Sequence, residues 1–212
     1  MKTFLFDFDG TLVDSMPSYV SVMLRILDEE GISYGKDIVK TITPLGFEGT
    51  ARYYRELGVT LSDAELTERM QGYAIYAYTH EIEAKPTVAQ TLWRMKERGD
   101  DLHVLTASPH VTLDPCLRRL GLYELFTNVW SCDDFGTTKA DPAIYRMAAE
   151  QIGAPVGDII FVDDNLNADK TAKAAGMTVY GIFDESSAEY ESEIRAVTDG
   201  YVYRFEELLN LS

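Results

Sequence analysis

The chain has 212 residues, 46% hydrophobic and 25% charged, with a formal net charge of −16. That is an ordinary globule of one to two domains, able to bury a core without disulfide or metal staples, and a disordered chain is excluded. The acidity repels phosphate backbones and anionic lipid heads, so neither nucleic acid nor a membrane surface is an expected partner; a small anionic substrate stays open, since a bound cation and backbone amides reverse the field locally.

Thr3 to Phe8 is a short apolar and aromatic run that stops at Asp9-Gly10, which predicts a buried strand ending in acids. A helix is expected from about Pro17 to Gly31, with Val20, Met23, Leu24 and Leu27 on one stripe. Helical material continues to about residue 84: Tyr53, Tyr54 and Leu57 precede Gly58, and Ser62 with Glu65 has the capping-box spacing that opens a further helix to His80. Lys85-Pro86-Thr87 breaks the pattern, and a helix follows from about Thr87 to Arg98. After Gly99 the rhythm changes. Strands are expected at Leu102 to Leu105, near Asn128 to Ser131, at Asp158 to Val162 and at Met177 to Ile182. Helices fall between them: one to Leu120, one from Asp141 to Ile152 and one from about Ala168 to Ala175. From Asp184 the chain is acidic, with an edge strand at Tyr201 to Tyr203 and a last helix expected.

Strands alternating with helices imply right-handed crossovers and a parallel sheet. The expectation is an α/β fold: a Rossmann-like core of residues 1–14 and 85–212, with a helical cap domain, 15–84, inserted after the first strand. Cys116 and Cys132 read as two reduced thiols rather than a disulfide framework. No apolar run approaches a membrane span, and Asp7 falls too early for a signal-peptide core, so a cytoplasmic location is expected. Oligomeric state is left open.

Ligands of open parallel sheets bind beyond the carboxyl ends of the strands. Polar residues collect at those ends: Asp7 and Asp9, then Thr106 and Ser108, then Asp163 and Asp164, with Lys139 in a loop between strands. Taken singly, each has a plain structural use as a solvated turn, a helix cap or a surface lysine. Their joint placement is what points to a site.

The run Phe6-Asp7-Phe8-Asp9-Gly10-Thr11 resembles the first motif of the haloacid dehalogenase superfamily. Val104-Leu105-Thr106-Ala107-Ser108 resembles the second, Lys139-Ala140-Asp141-Pro142 the third, and Phe161-Val162-Asp163-Asp164-Asn165 with Ala174-Ala175-Gly176-Met177 the fourth. The four occur in order across nearly the whole chain. The helical insertion is similar to the cap of the phosphoglycolate phosphatase and β-phosphoglucomutase branch. The resemblance implies Asp7 as nucleophile, Asp9 as general acid and base, and Thr106, Ala107 and Lys139 as phosphate-binding residues. It implies Mg²⁺ held by Asp7, the Asp9 carbonyl and Asp164; Asp163 is expected to join them at the metal site, either through a metal-bound water or by fixing Asp164. The residues make physical sense in those roles. Gly10 permits a bend that turns both Asp7 and Asp9 toward one pocket. A divalent cation removes the repulsion between a carboxylate and a phosphate, and hard oxygen ligands suit Mg²⁺.

The chain departs from the family pattern in places. Ala168 stands where a second acid is frequent, with Asp169 one residue further on, and Ala140 replaces a common proline. His80, His103 and His110 show no metal spacing; His103 reads as structural, and His110 is a candidate for the pocket edge. Asp9 favours phosphate chemistry over dehalogenation, because a halide leaves without a general acid. Glu48 lies where a phosphomutase cap would carry a cation, with Arg52 one turn on, so the mutase ranks second. A phospho-receiver would be shorter and lack the insertion, and the intact acid set argues against a non-catalytic scaffold. The expected activity is Mg²⁺-dependent hydrolysis of a small phosphorylated metabolite through an aspartyl-phosphate. Pro44, Phe47, Arg52, Tyr53 and Tyr54 are the candidates for substrate specificity.

Overall fold

A computed structural model describes residues 1–42 and 45–211. The chain forms two compact units, one of Met1–Asp14 with Glu83–Ser212 and one of Ser15–Ile82.

The first unit is built on a six-stranded, wholly parallel sheet. Its strands are β1 (Thr3–Phe6), β2 (Asp101–Thr106), β3 (Asn128–Ser131), β4 (Ile159–Asp163), β5 (Thr178–Ile182) and β6 (Gly200–Val202), in the order β3-β2-β1-β4-β5-β6. The order reverses at β1, which pairs with β2 on one side and β4 on the other. This is the switch point at which such sheets hold ligands. Register aligns Phe6 with both Val104 and Val162, so the ends of β1, β2 and β4 open onto one place.

Strand alternation divides the core. Leu5, Leu105, Phe161 and Val179 face one layer, where they pack with Ile144, Tyr145 and Ala148 of α7 (Pro142–Ile152) and Ala172 of α8 (Leu166–Ala175). Phe4 and Phe6 face the other way; they stack at 5.5 Å, and Phe6 meets Phe205 at 5.4 Å. Local chemistry marks the helix ends. The Asp141 carboxylate accepts the Ala143 N–H at 2.9 Å ahead of Pro142, and the Asn165 side chain accepts from Asn167 and Ala168 to open α8. The outer pair β5–β6 sets Tyr180 beside Gly200 and Gly181 beside Tyr201.

In the second unit, α1 (Met16–Glu29), α2 (Ile38–Ile42), α3 (Gly46–Glu56) and α4 (Asp63–His80) share a core of Met23, Ile26, Leu27, Tyr54, Leu66 and Met70. The Ser62–Glu65 capping box forms as its spacing predicts. No strand is present among the described residues of this unit.

The first unit's remaining helices are α5 (Val88–Glu97), α6 (His110–Arg119) and α9 (Glu191–Val197). Three expectations need correction. β1 ends at Phe6 rather than Phe8, although the Asp7 N–H still reaches the Val162 carbonyl at 2.9 Å. The expected last helix is a 3-10 segment, Phe205–Asn210, whose buried Phe205 and Leu208 keep the three-residue spacing of that helix. α9 was not foreseen: Ile194 is its one buried residue, so it has no apolar stripe to read. No helix of the described residues is long and apolar enough to cross a membrane.

Candidate active site

Asp7 leaves the end of β1 with its carboxylate buried. Lys139, delivered by the loop before α7, donates to Asp7 Oδ1 and to Asp163 Oδ2, the latter at 2.8 Å. Tyr145 of α7 pins that loop by donating its hydroxyl to the carbonyls of Lys139 and Ala168, each at 3.2 Å. Asp163 closes β4, and its other oxygen accepts the Asn165 N–H at 2.8 Å. Asp164 follows, with the Thr11 hydroxyl 3.4 Å away. Gly10 lies against it: a Cβ there would come within 2.7 Å of both Asp164 carboxylate oxygens, and the glycine has φ 76°. No side chain fits that gap, and L-residues avoid that backbone region.

Oxygens of Asp7, Asp163 and Asp164 lie within 4.8 Å of one another. Lys139 faces Asp7 and Asp163, while Lys85 is the cation that acts on Asp164, and the crowding of acids shows in the titration of Asp7 and Asp164. Burial pushes Asp7 up to about 7, with Lys139 opposing and Asp163 and Asp9 adding to the rise. Burial, then Asp163 and Asp7, hold Asp164 well above the usual carboxylate range. Burial works against the Lys139 charge, but Asp163 and Asp7 outweigh it and hold the ammonium above its ordinary value. A buried, all-oxygen, over-negative set is what a hard divalent cation satisfies, so the residues fit Mg²⁺.

Asp9 stands apart from that trio. The Ser108 hydroxyl donates to Asp9 Oδ2 at 2.5 Å, and the Ser108 N–H donates to Thr106 Oγ1 at 3.0 Å. One serine thus joins the end of β2 to the second acid of the first motif. Ser108 was legible as a polar residue two positions after Thr106, but its link to Asp9 crosses 99 residues and had no local signal. Thr106 is buried at the end of β2, and Ala107 is exposed between it and Ser108.

Asp169, in the first turn of α8, is fully buried, and neither of its oxygens has a hydrogen-bond partner among the described residues. Burial first, then Asp163 and Asp164, push it up to about 9. It is not part of the trio of clustered acids. His103 is buried in β2, stacked on Trp130 at 5.8 Å. His110 places Nδ1 2.7 Å from Asp114 and Nε2 2.8 Å from Asp134, so both ring nitrogens are engaged. In the helical unit, Tyr54 is a core residue whose hydroxyl donates to the Met23 carbonyl at 2.6 Å, and Phe47 stacks on Tyr19 at 6.1 Å. Tyr53 is half-buried, Glu48 and Arg52 are exposed, and Pro44 lies outside the described residues.

Known proteins resemble this chain in sequence and in fold. A phosphoglycolate phosphatase of Pseudomonas syringae pv. syringae is 30% identical over 184 residues, covering 83% of this chain and 67% of that protein. The pyrophosphatase PpaX of Bacillus velezensis is 29% identical over 184 residues, covering 84% of this chain and 81% of that one. The crystal structure of a Thermotoga maritima protein described as a beta-phosphoglucomutase superposes with a TM-score of 0.84 at 24% identity, over 99% of this chain and 97% of that chain, and shows the same fold. Residues 1–176 match the model of the haloacid dehalogenase-like hydrolases, and the chain belongs to that family.

Proposed function

We propose that this hydrolase removes the phosphoryl group from small organic phosphomonoesters, with Asp7 as nucleophile and Asp9 as general acid and base. The observation that carries the reading is the grouping of buried Asp7, Asp163, Asp164 and Lys139 at the switch point, with Asp9 held by Ser108 beside Thr106. Phosphatase-named relatives support it.

Asp7 attacks phosphorus, and the bond from phosphorus to the leaving oxygen breaks. Asp9 gives its proton to that oxygen, so the alcohol leaves neutral. Asp9, now a carboxylate, takes a proton from the water that attacks the aspartyl-phosphate, which frees phosphate and restores Asp7. Lys139 sits against Asp7 and balances charge that builds on the phosphoryl oxygens; Thr106 and Ala107 complete the grip from the end of β2. Asp7, Asp164 and the Asp9 carbonyl would hold Mg²⁺, with Asp163 alongside, and the ion supplies the positive charge that lets a carboxylate approach a phosphate. The buried, unpaired Cys116 and Cys132 fit a reducing compartment such as the cytoplasm.

The test is hydrolysis of a panel of phosphorylated metabolites with and without Mg²⁺, in wild type and Asp9→Asn. Wild-type turnover should require Mg²⁺. Asp9→Asn should lose roughly 10²–10⁴-fold with alkyl phosphates and less with an activated aryl phosphate. Equal losses on both substrate types would remove Asp9 from acid-base duty.

A further inference from the structure

The chain returns to the first unit at residue 83 and runs antiparallel to the catalytic turn. The Asp14 N–H donates to the Glu83 carbonyl at 3.0 Å, Ala84 bridges Val13, and the Lys85 N–H donates to the Leu12 carbonyl at 3.0 Å. The Lys85 side chain then reaches back along the turn. Its ammonium donates to the Gly10 carbonyl at 2.6 Å, the Phe183 carbonyl at 2.7 Å and Asp184 Oδ2 at 3.0 Å. An ammonium has three protons, and these three acceptors match them. Asp184 is itself tied, since its Oδ1 accepts from the Ser186 N–H at 2.9 Å and the Ser186 hydroxyl at 2.5 Å. Lys85 therefore joins the turn after β1 to the segment after β5 through groups that are already fixed.

The turn it grips has little freedom to move. On one side Gly10 abuts the Asp164 carboxylate with no room for a methyl group, and Thr11 bonds the same carboxylate. On the other, the Gly10 carbonyl is held by the Lys85 ammonium. The neighbouring carbonyl, that of Asp9, is one assigned to the cation. A small drift of this turn would change the distance from that carbonyl to Asp164, and metal affinity is sensitive to groups that orient the ligands.

We propose that Lys85 is a positioning residue that fixes the Asp9–Gly10–Thr11 turn against Asp164 and so sets the geometry in which the site takes its divalent cation. The proposal rests on the phosphatase reading above. Lys85 contacts neither substrate nor the reacting atoms in it; the residue acts through a main-chain carbonyl.

The test is calorimetric titration of Mg²⁺ into wild type, Lys85→Met and Asp184→Asn in the absence of substrate, followed by steady-state kinetics at saturating Mg²⁺. Lys85→Met should weaken Mg²⁺ binding by about tenfold or more. It should lower kcat by a similar factor and leave KM within about threefold, because the substrate grip is untouched. Asp184→Asn keeps the ammonium and loses one anchor, so it should show the same pattern at roughly a third of the size. If Lys85→Met does not fold, Asp184→Asn carries the test, and Mg²⁺ affinity and kcat equal to wild type in that variant overturn the proposal. A wild type that binds Mg²⁺ and hydrolyses phosphate esters, beside a Lys85→Met matching it in both, overturns the Lys85 assignment alone. A wild type that does neither overturns the phosphatase reading, and this assignment falls with it.

Discussion

Lys139 and His110 each stand between two carboxylates, and the two clusters differ in their access to water. Lys139 is 13% exposed, between Asp7 at 9% and Asp163 at 0%. His110 is 40% exposed, between Asp114 at 28% and Asp134 at 38%. In the first cluster burial itself pushes Asp7 up, as it does the adjacent Asp164, with neighbouring acids adding to the rise, while Asp163 and Asp7 outweigh burial and hold Lys139 protonated. In the second, the Asp114 hydrogen bond, against some burial and with help from Asp134, raises His110, and water absorbs much of the rest. The same pairing of charges is a buried, strongly interacting cluster in one place and a surface strap in the other. Burial makes that difference.

The comparison breaks most sharply at Asp7. Asp7→Asn keeps the shape and removes the proposed nucleophile, so turnover should fall by about 10⁴-fold or more with the fold intact. Rates within tenfold of wild type, measured on the best substrate of the panel, would reduce the buried cluster to a structural one.

Lys139→Met comes next. It leaves the buried acids facing one another without their cation. Turnover should drop by about 10²–10³-fold, and chemical denaturation without Mg²⁺ should show a loss of about 3–5 kcal/mol. A loss no larger than that of the His110 variant would mean that burial does not separate the clusters.

His110→Gln should have the smallest effect. The folded imidazole binds its proton more tightly than the unfolded one. The stability it adds is therefore full below the ordinary value of about 6.5 and fades as pH rises through the raised folded value. Urea denaturation at several pH values should show wild type ahead of the variant by less than about 1 kcal/mol at low pH, with the gap closing as pH rises. A gap that widens with pH would reverse the sign and refute the strap.

Much of this is legible in the sequence alone. β3 lies where it was expected, and α7 starts one residue after its Asp141 cap, because those signals are local. The acids at the ends of β1 and β4 were legible for the same reason: an apolar strand that stops in Asp is visible in a few residues. What stayed hidden is contact across the chain. The Ser108–Asp9 bond and the Lys85–Gly10 bond join segments with no shared pattern, 99 and 75 residues apart. The tail misled in a different way. Its short segments bury one or two side chains each, too few to reveal a period. Tyr54 shows the same limit within a helix, since spacing placed it on a face without showing which partner that face meets.

The outer strands carry one more lesson. Tyr180 lies across from Gly200, and Tyr201 from Gly181, so each ring occupies the space its partner leaves empty. A Cβ at Gly200 would come within 2.4 Å of the Tyr180 ring, and one at Gly181 within 2.7 Å of the Tyr201 ring. β6 has only three residues, and so short a ladder holds its register weakly through backbone bonds alone. Sliding it by one residue toward its N-terminus would set Tyr201 against Tyr180, two rings competing for a space sized for one. The glycine–tyrosine exchange thus works as a key cut for a single alignment. It lets the last strand of the sheet find its place by shape and closes the edge of the sheet in one register.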